Sequence, residues 1–315
     1  MQSFSATPPG PDGPRLLVVE LWGLGDVAMA LPFVQAAAQR ARITLLAKPH
    51  ATVLVRRLCP EVEVIPFVAP WTAHRGKYRL HRWPWRELSA VIDSLREHRF
   101  DAAVSARPDP RDHLLMALAG AEMRLGFPRT GSSLLLTDRL TPPADPHRTA
   151  AWAALARRLG FGAPKPANAE PAPGIVIHTG AAQPTREWPR DRFEEIARRL
   201  RSAGRSVTLL DGATGGLEQL VNTLATAGRF IGNDSGPGHV AALLGIPTFT
   251  IMGPYFGAQF HPAHPQAAWV EGKPCAFKPC RDNCRYSQPN CILDVSVDEV
   301  WEPLTHWLSQ VRTSH

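Results

Sequence analysis

Four groups of residues in this 315-residue chain have the types and spacing to do chemistry. The first is Trp22-Gly23-Leu24-Gly25-Asp26, directly after an apolar run. Asp26 reads either as a helix N-cap or as a carboxylate at a strand's carboxyl end, able to take a proton from a hydroxyl. The glycines read as supplying the backbone freedom of a tight turn, with Gly25 lining a ligand cleft. A dinucleotide fingerprint is not met, because Ala28 stands where the third glycine would be. The second group is Gly232-Asn233-Asp234-Ser235-Gly236-Pro237-Gly238-His239. Small residues let a backbone approach a ligand, and the open amides of a helix start favour phosphate. Asp234, Ser235, Gly236 and His239 are the candidate phosphate-binding residues. The alternative is a capped helix in which Asp234 and Ser235 only satisfy the backbone.

The third group is His178-Thr179-Gly180, ending a strand, with Arg186 shortly after it. His178 and Thr179 are candidates to line the cleft. Arg186 could grip a diphosphate with its planar fork, or it could be a solvated surface arginine. Trp188 reads as packing. The fourth group is Cys275, Cys280, Cys284 and Cys291. Four soft ligands on a short loop suit a structural Zn or Fe, with Lys273, Lys278, Arg281 and Arg285 offsetting thiolate charge. Four reduced thiols, or two disulfides, are the alternatives. Trp71–Arg86 is a further feature: many cations and several aromatics, suited to anionic headgroups or acceptor phosphates, or simply a solvated loop.

These groups need elements to hold them. Apolar runs at 15–20, 43–47, 62–67, 100–104 and 122–125 read as strands. They alternate with helices ending near 40 and at 51–58, 87–98, 111–119 and 150–159. A second set follows, with strands at 174–178, 206–210, 229–232 and 247–251 and helices at 190–203, 216–227, 237–244 and 297–311. Strand–helix alternation implies parallel sheets. The expected organisation is a loose tail over 1–14, a first domain over 15–163, a Pro-rich linker at 164–173, and a second domain over 174–315 with a Cys-rich loop at 275–291.

Composition fits this plan. The chain is 44% hydrophobic and 20% charged, with a formal net charge of +7. A basic surface favours anionic partners. No apolar run approaches the ~18 residues a membrane span needs, and the first residues lack an apolar signal core. A cytoplasmic protein is expected, and no nucleic-acid motif accompanies the basic segment.

Together LLVVELWGLGDVAMALPFVQA, HTGAAQPTREWPRDRFEEIARRL and GRFIGNDSGPGHVAALLGIPTFTIMGP resemble glycosyltransferase family 9, the ADP-heptose lipopolysaccharide heptosyltransferases. The resemblance implies an α/β GT-B fold of two Rossmann-like domains with an interdomain cleft. It implies an inverting, metal-independent transferase. The first domain would receive a phosphorylated glycolipid acceptor and the second a nucleotide sugar, ADP-heptose foremost. Peripheral contact with the cytoplasmic face of the inner membrane would follow. By likeness Asp26 matches the general base. Arg186 matches a donor-phosphate lysine, and Asp234, Ser235, Gly236 and His239 match the donor-phosphate loop. One departure is expected: the second domain runs from Asp211-Gly212-Ala213-Thr214 straight into the helix before NDSGPGH, and looks short by one βα unit. Two other readings are a non-catalytic sugar-nucleotide or glycolipid binding protein and a sugar-nucleotide epimerase.

Overall fold

The computed structural model describes residues 10, 13–73, 76–162, 172–211 and 216–311. Most of the expected tail and linker, and residues 212–215, lie outside them. The chain divides into two compact units. The first comprises residues 1–145 and 149–165; the second comprises 146–148 and 166–315.

The first unit runs β1 (Arg15–Glu20), α1 (Leu24–Ala38), β2 (Arg42–Ala47), α2 (Ala51–Leu58), β3 (Glu63–Pro66), α3 (Trp85–Glu97), β4 (Ala102–Ser105), α4 (Pro110–Leu118), β5 (Met123–Gly126), β6 (Asp138–Arg139) and α5 (Arg148–Leu159). The six strands are parallel, in the order β3-β2-β1-β4-β5-β6. β1 and β2 are buried almost end to end, because helices cover both sheet faces. That is why each reads as an unbroken apolar run. Leu17, Val19, Phe100, Ala103 and Met116 form part of one core. Phe33 of α1 packs on Trp152 of α5, ring centroids 5.1 Å apart.

The second unit runs β7 (Ile175–His178), α6 (Arg190–Ser202), β8 (Val207–Leu210), α7 (Gly216–Leu224), β9 (Arg229–Asn233), α8 (Gly236–Leu243), β10 (Thr248–Met252), α9 (Gly257–Phe260), β11 (Ala268–Glu271), α10 (Asn290–Leu293) and α11 (Val297–Gln310). Its sheet is also parallel, in the order β11-β10-β9-β7-β8. Its core gathers Ile177, Trp188, Phe193, Ile231, Phe249 and Leu304. Trp188 is fully buried, as its packing role requires, and its Nε1 donates to the Val295 carbonyl at 2.7 Å.

The two sheets differ at one edge. In the first unit β3 lies outside β2, whereas among the described residues nothing lies outside β8, whose side chains are partly exposed. Numbered within their own units, the orders are 3-2-1-4-5-6 and 2-1-3-4-5. Each reverses direction once, between β1 and β4 in the first and between β7 and β9 in the second. Ligands of doubly wound sheets bind at the carboxyl ends of the strands flanking that reversal.

Four elements escaped the sequence reading: β6, α9, β11 and α10. The two helices have four residues each and β6 has two, too few to show a period. β11 is a four-residue edge strand with no sustained apolar run. Among the described residues no helix is long and apolar enough to cross a membrane.

Candidate donor and acceptor sites

In the first unit the reversal brings the end of β1 beside the end of β4. Gly23, not Asp26, is the N-cap of α1; Asp26 is the third helical residue. Its Oδ2 accepts from the Gly23 N–H at 3.1 Å, which closes the first turn. The expected need for glycine freedom is also corrected. Gly23 has φ −76° and ψ 171°, extended backbone open to any residue. Gly25 lies inside the first turn of α1 and is half-buried.

The other Asp26 oxygen pairs with Arg107, which follows β4 and which the sequence reading did not single out. The Arg107 guanidinium also lies 4.5 Å from the Trp22 ring. Burial works against its charge, but Asp26, Glu20 and Asp112 together push its pKa up. Both partners remain about one-fifth exposed. A carboxylate oxygen has more than one acceptor site, so an occupied Asp26 can still accept a proton.

Around this pair lies a dense set of titratable groups. Lys48 and His50 follow β2, and burial lowers the pKa of both. Asp109 caps α4, accepting from the Arg111 N–H at 3.0 Å and gripped by the Arg111 fork at 2.8 and 2.7 Å. Burial works to raise Asp109, yet the Arg111 bonds hold it below the usual carboxylate range. Asp112 is fully buried, accepting from Trp71 Nε1 at 3.1 Å, while its Oδ2 has no hydrogen-bond partner among the described residues. Burial, then the charge of Asp109, pushes it up to about 8.

In the second unit the reversal lies between β7 and β9. Ser235 is the N-cap of α8, but its side chain makes no capping hydrogen bond. The Ser235 hydroxyl instead donates to the Asn233 carbonyl at 3.3 Å. Gly236 opens the helix, and Pro237 in the first turn has no N–H to satisfy. Ser235 thus satisfies a backbone carbonyl without capping the helix. Asp234, Ser235 and His239 are all buried. Gly232 admits no side chain: a Cβ there would lie 2.9 Å from the Phe230 ring and 3.0 Å from the His178 carbonyl.

Asn233, which the sequence reading left without a role, braces the site. It accepts from the Trp188 N–H at 3.0 Å and donates to the Thr179 carbonyl at 2.8 Å. His178 and Thr179 are buried with their polar atoms turned to backbone. His178 Nδ1 lies 3.1 Å from the Gly180 carbonyl, and the Thr179 hydroxyl donates to the Leu210 carbonyl at 3.3 Å. Burial lowers the His178 pKa.

Arg186 is not a solvated surface arginine. Its Nε and Nη2 donate to Asp282 at 2.7 and 2.6 Å, and Nη1 lies 3.8 Å from Asp234 Oδ2. Its guanidinium stacks 4.5 Å from the Tyr255 ring. Burial opposes the charge, but Asp282 and Asp234 raise the pKa above the ordinary arginine range. Burial pushes the Tyr255 hydroxyl up to about 12.

The Cys-rich loop corrects the metal expectation. Cys275, Cys280, Cys284 and Cys291 are free and partly buried. Among the described residues no group of three or more His, Cys, Asp or Glu is placed to hold a metal ion. Burial raises Cys280 and pushes Cys291 up to about 11, aided by the neighbouring sulfurs, so these thiols favour the protonated form. Two of the four expected charge partners are engaged elsewhere: Lys278 pairs with Glu271 at 2.7 Å, and Arg285 lies over the Phe277 ring. The four cysteines as placed do not fit a tetrahedral thiolate centre.

With this geometry in hand, the chain can be set beside known proteins. Residues 212–288 match the model of glycosyltransferase family 9 (heptosyltransferase). The chain is 28% identical over 171 residues to lipopolysaccharide heptosyltransferase 1 of Pseudomonas aeruginosa, covering 42% of this chain. It spans about half of that relative, 48% of its length. Two E. coli structures share the fold. Heptosyltransferase WaaC with ADP has TM-score 0.73 at 17% identity, covering 93% of this chain and 99% of the other. ADP-heptose lps heptosyltransferase II has TM-score 0.66 at 22% identity, covering 94% and 99%. An iron-containing dodecameric glycosyltransferase, TibC of enterotoxigenic E. coli, has TM-score 0.59 at 16% identity, covering 98% and 81%. The fold is the GT-B-like architecture of these heptosyltransferases. The chain is heptosyltransferase-like, similar in sequence to glycosyltransferase family 9 through its second unit.

Proposed function

We propose that this chain is an inverting glycosyltransferase. It moves a heptose or similar sugar from a nucleotide diphosphate, ADP-heptose foremost, to a phosphorylated glycolipid of the lipopolysaccharide core. The observation that carries the reading is in the second unit. Arg186, Asp234 and the start of α8 meet at the carboxyl ends of the strands where the sheet reverses. Such a helix start accepts phosphate. The donor-phosphate residues are Arg186, Asp234, Ser235, Gly236 and His239.

The reaction is a direct displacement. Asp26 takes the proton of an acceptor hydroxyl. The acceptor oxygen bonds to the anomeric carbon on one face while the bond to the diphosphate breaks on the other. The leaving diphosphate is stabilised by the α8 start, His239 and Arg186, and no catalytic metal is called on. Arg107 holds the Asp26 carboxylate in place.

The basic–aromatic segment adds a place for an acidic surface. Tyr78, Leu80 and Trp85 are exposed beside Lys77, Arg79, Arg82 and Arg86, and no acidic residue falls between Trp71 and Arg86. Trp71, Trp83 and Trp85 stack in series at 5.6 and 5.4 Å and anchor that segment. This suits peripheral contact with anionic lipid on the cytoplasmic face of the inner membrane. His74 and Arg75 lie outside the described residues.

The test is incubation with ADP-heptose and a phosphorylated inner-core glycolipid, following ADP release and acceptor mass. The reading expects one ADP per heptose added. ADP binding with neither release nor added mass would favour a non-catalytic binding protein.

A further inference from the structure

The loop joining β11 to α10 carries one carboxylate whose placement the donor-site reading leaves unexplained. The neck of this loop is tight: a Cβ on Gly272 would lie 1.6 Å from the Cys291 carbonyl oxygen. Its tip reaches back to the residues after β7. At the tip Arg281 and Asp282 are both left-handed, with φ of 51° and 65°. Two such residues in succession are unusual without glycine and mark a backbone held by its contacts. The contact is Asp282. Its side chain is only 9% exposed and receives four donors. Arg186 supplies Nε and Nη2 at 2.7 and 2.6 Å, and the Thr185 and Tyr255 hydroxyls each donate at 3.2 Å.

The geometry points to Asp282 as a further donor-site residue: it fills the fork of Arg186 where a phosphate would sit, and so sets how tightly the donor diphosphate binds. The inference rests on the donor-site reading above. A carboxylate and a phosphate engage an arginine fork through the same pair of parallel bonds, so the two compete for the Nε–Nη2 edge that Asp282 fills. The guanidinium face lies on Tyr255, and Nη1 lies 3.8 Å from Asp234 Oδ2, an ion pair too long for a hydrogen bond. The Asp282 carboxylate also cancels the charge that Arg186 would offer a diphosphate. Donor binding at Arg186 therefore displaces Asp282 and moves residues 280–284.

The test measures ADP affinity by calorimetry for the full chain, Asp282→Asn, Arg186→Gln and the double variant, with thermal unfolding as the fold control. Asn preserves the size of the side chain and removes its charge. The expected result is about tenfold tighter ADP binding for Asp282→Asn, because a self-competing state lowers apparent affinity by its population. Arg186→Gln is expected to weaken binding, and the double variant to match it. In the unmodified protein, ADP is expected to speed hydrogen exchange at amides 280–284. Unchanged or weaker ADP binding by Asp282→Asn, beside an Arg186→Gln loss, would overturn the role of Asp282 alone. Arg186→Gln binding ADP like the parent would instead overturn the donor-site reading and this inference with it. If Asp282→Asn does not fold, exchange decides: protection of 280–284 by ADP overturns the displacement.

Discussion

Asp112 in the first unit and Asp282 in the second are both aspartates removed from water, yet burial leaves them in opposite states. Asp112 receives one Trp71 N–H, has Asp109 as a neighbour and is pushed up to about 8. Asp282 receives the Arg186 fork and two hydroxyls, which overcome its burial and hold it below the ordinary carboxylate range. What decides the charge of a buried acid is whether its donor set outweighs its burial. The candidate catalytic and donor-binding groups are paired in mirror image. In the first unit a cation, Arg107, holds an acid, Asp26; in the second an acid, Asp282, holds a cation, Arg186.

The comparison can be broken most sharply at Asp26. Asp26→Asn is expected to cut sugar transfer by about 10²–10⁴-fold, the usual worth of a general base, with ADP affinity unchanged. Transfer within a few-fold of the parent would remove Asp26 from the chemistry.

Asp112 gives the next largest effect. Between its unfolded pKa and about 8 the folded state binds the extra proton, so stability falls as pH rises through that window. Asp112→Asn keeps an acceptor for Trp71 and removes the titration. The variant should gain on the parent from pH 5 to pH 9, by on the order of a few kcal/mol in denaturant unfolding. Parallel pH–stability curves would show that Asp112 ionises as readily as a solvated aspartate.

A smaller effect is expected at Gly232, where the second unit packs its candidate phosphate loop. Gly232→Ala forces a methyl against Phe230 and the His178 carbonyl and should cost about 1–3 kcal/mol, read as a lower Tm. A Tm equal to the parent's would mean the loop yields freely. The smallest change is at Arg107: Arg107→Gln should lower transfer about tenfold at unchanged ADP affinity, through a displaced Asp26 carboxylate. Equal loss in both measurements would place Arg107 outside this role.

The sequence carried the fold because buried parallel strands write themselves as apolar runs, as in Leu16–Val19 and Phe249–Ile251. Short edge pieces such as β6 and β11 left no such mark. At the candidate sites, local grammar singled out Asp26, Arg186 and the Gly236-Pro237-Gly238 turn, since each lies in the segment that follows a strand. It missed Arg107 and Asp282, because their partners lie 81 and 96 residues away in the chain. The spacing of the cysteines suggested a metal centre, but spacing says nothing of where a loop aims its thiols. The one residue in that loop that reaches a candidate site is the aspartate between them. A signal for it was present: a lone acid, Asp282, among Lys278, Arg281 and Arg285.

Asp26 is assigned the proton and Arg186 the diphosphate, and a crossed measurement separates the two roles. ADP affinity and the single-turnover rate of transfer would be determined for Asp26→Asn and Arg186→Gln side by side. Asp26→Asn is expected to bind ADP like the parent without transferring sugar, while Arg186→Gln is expected to lose ADP affinity. An Asp26→Asn protein that loses ADP affinity, or an Arg186→Gln protein that keeps it, would overturn this division.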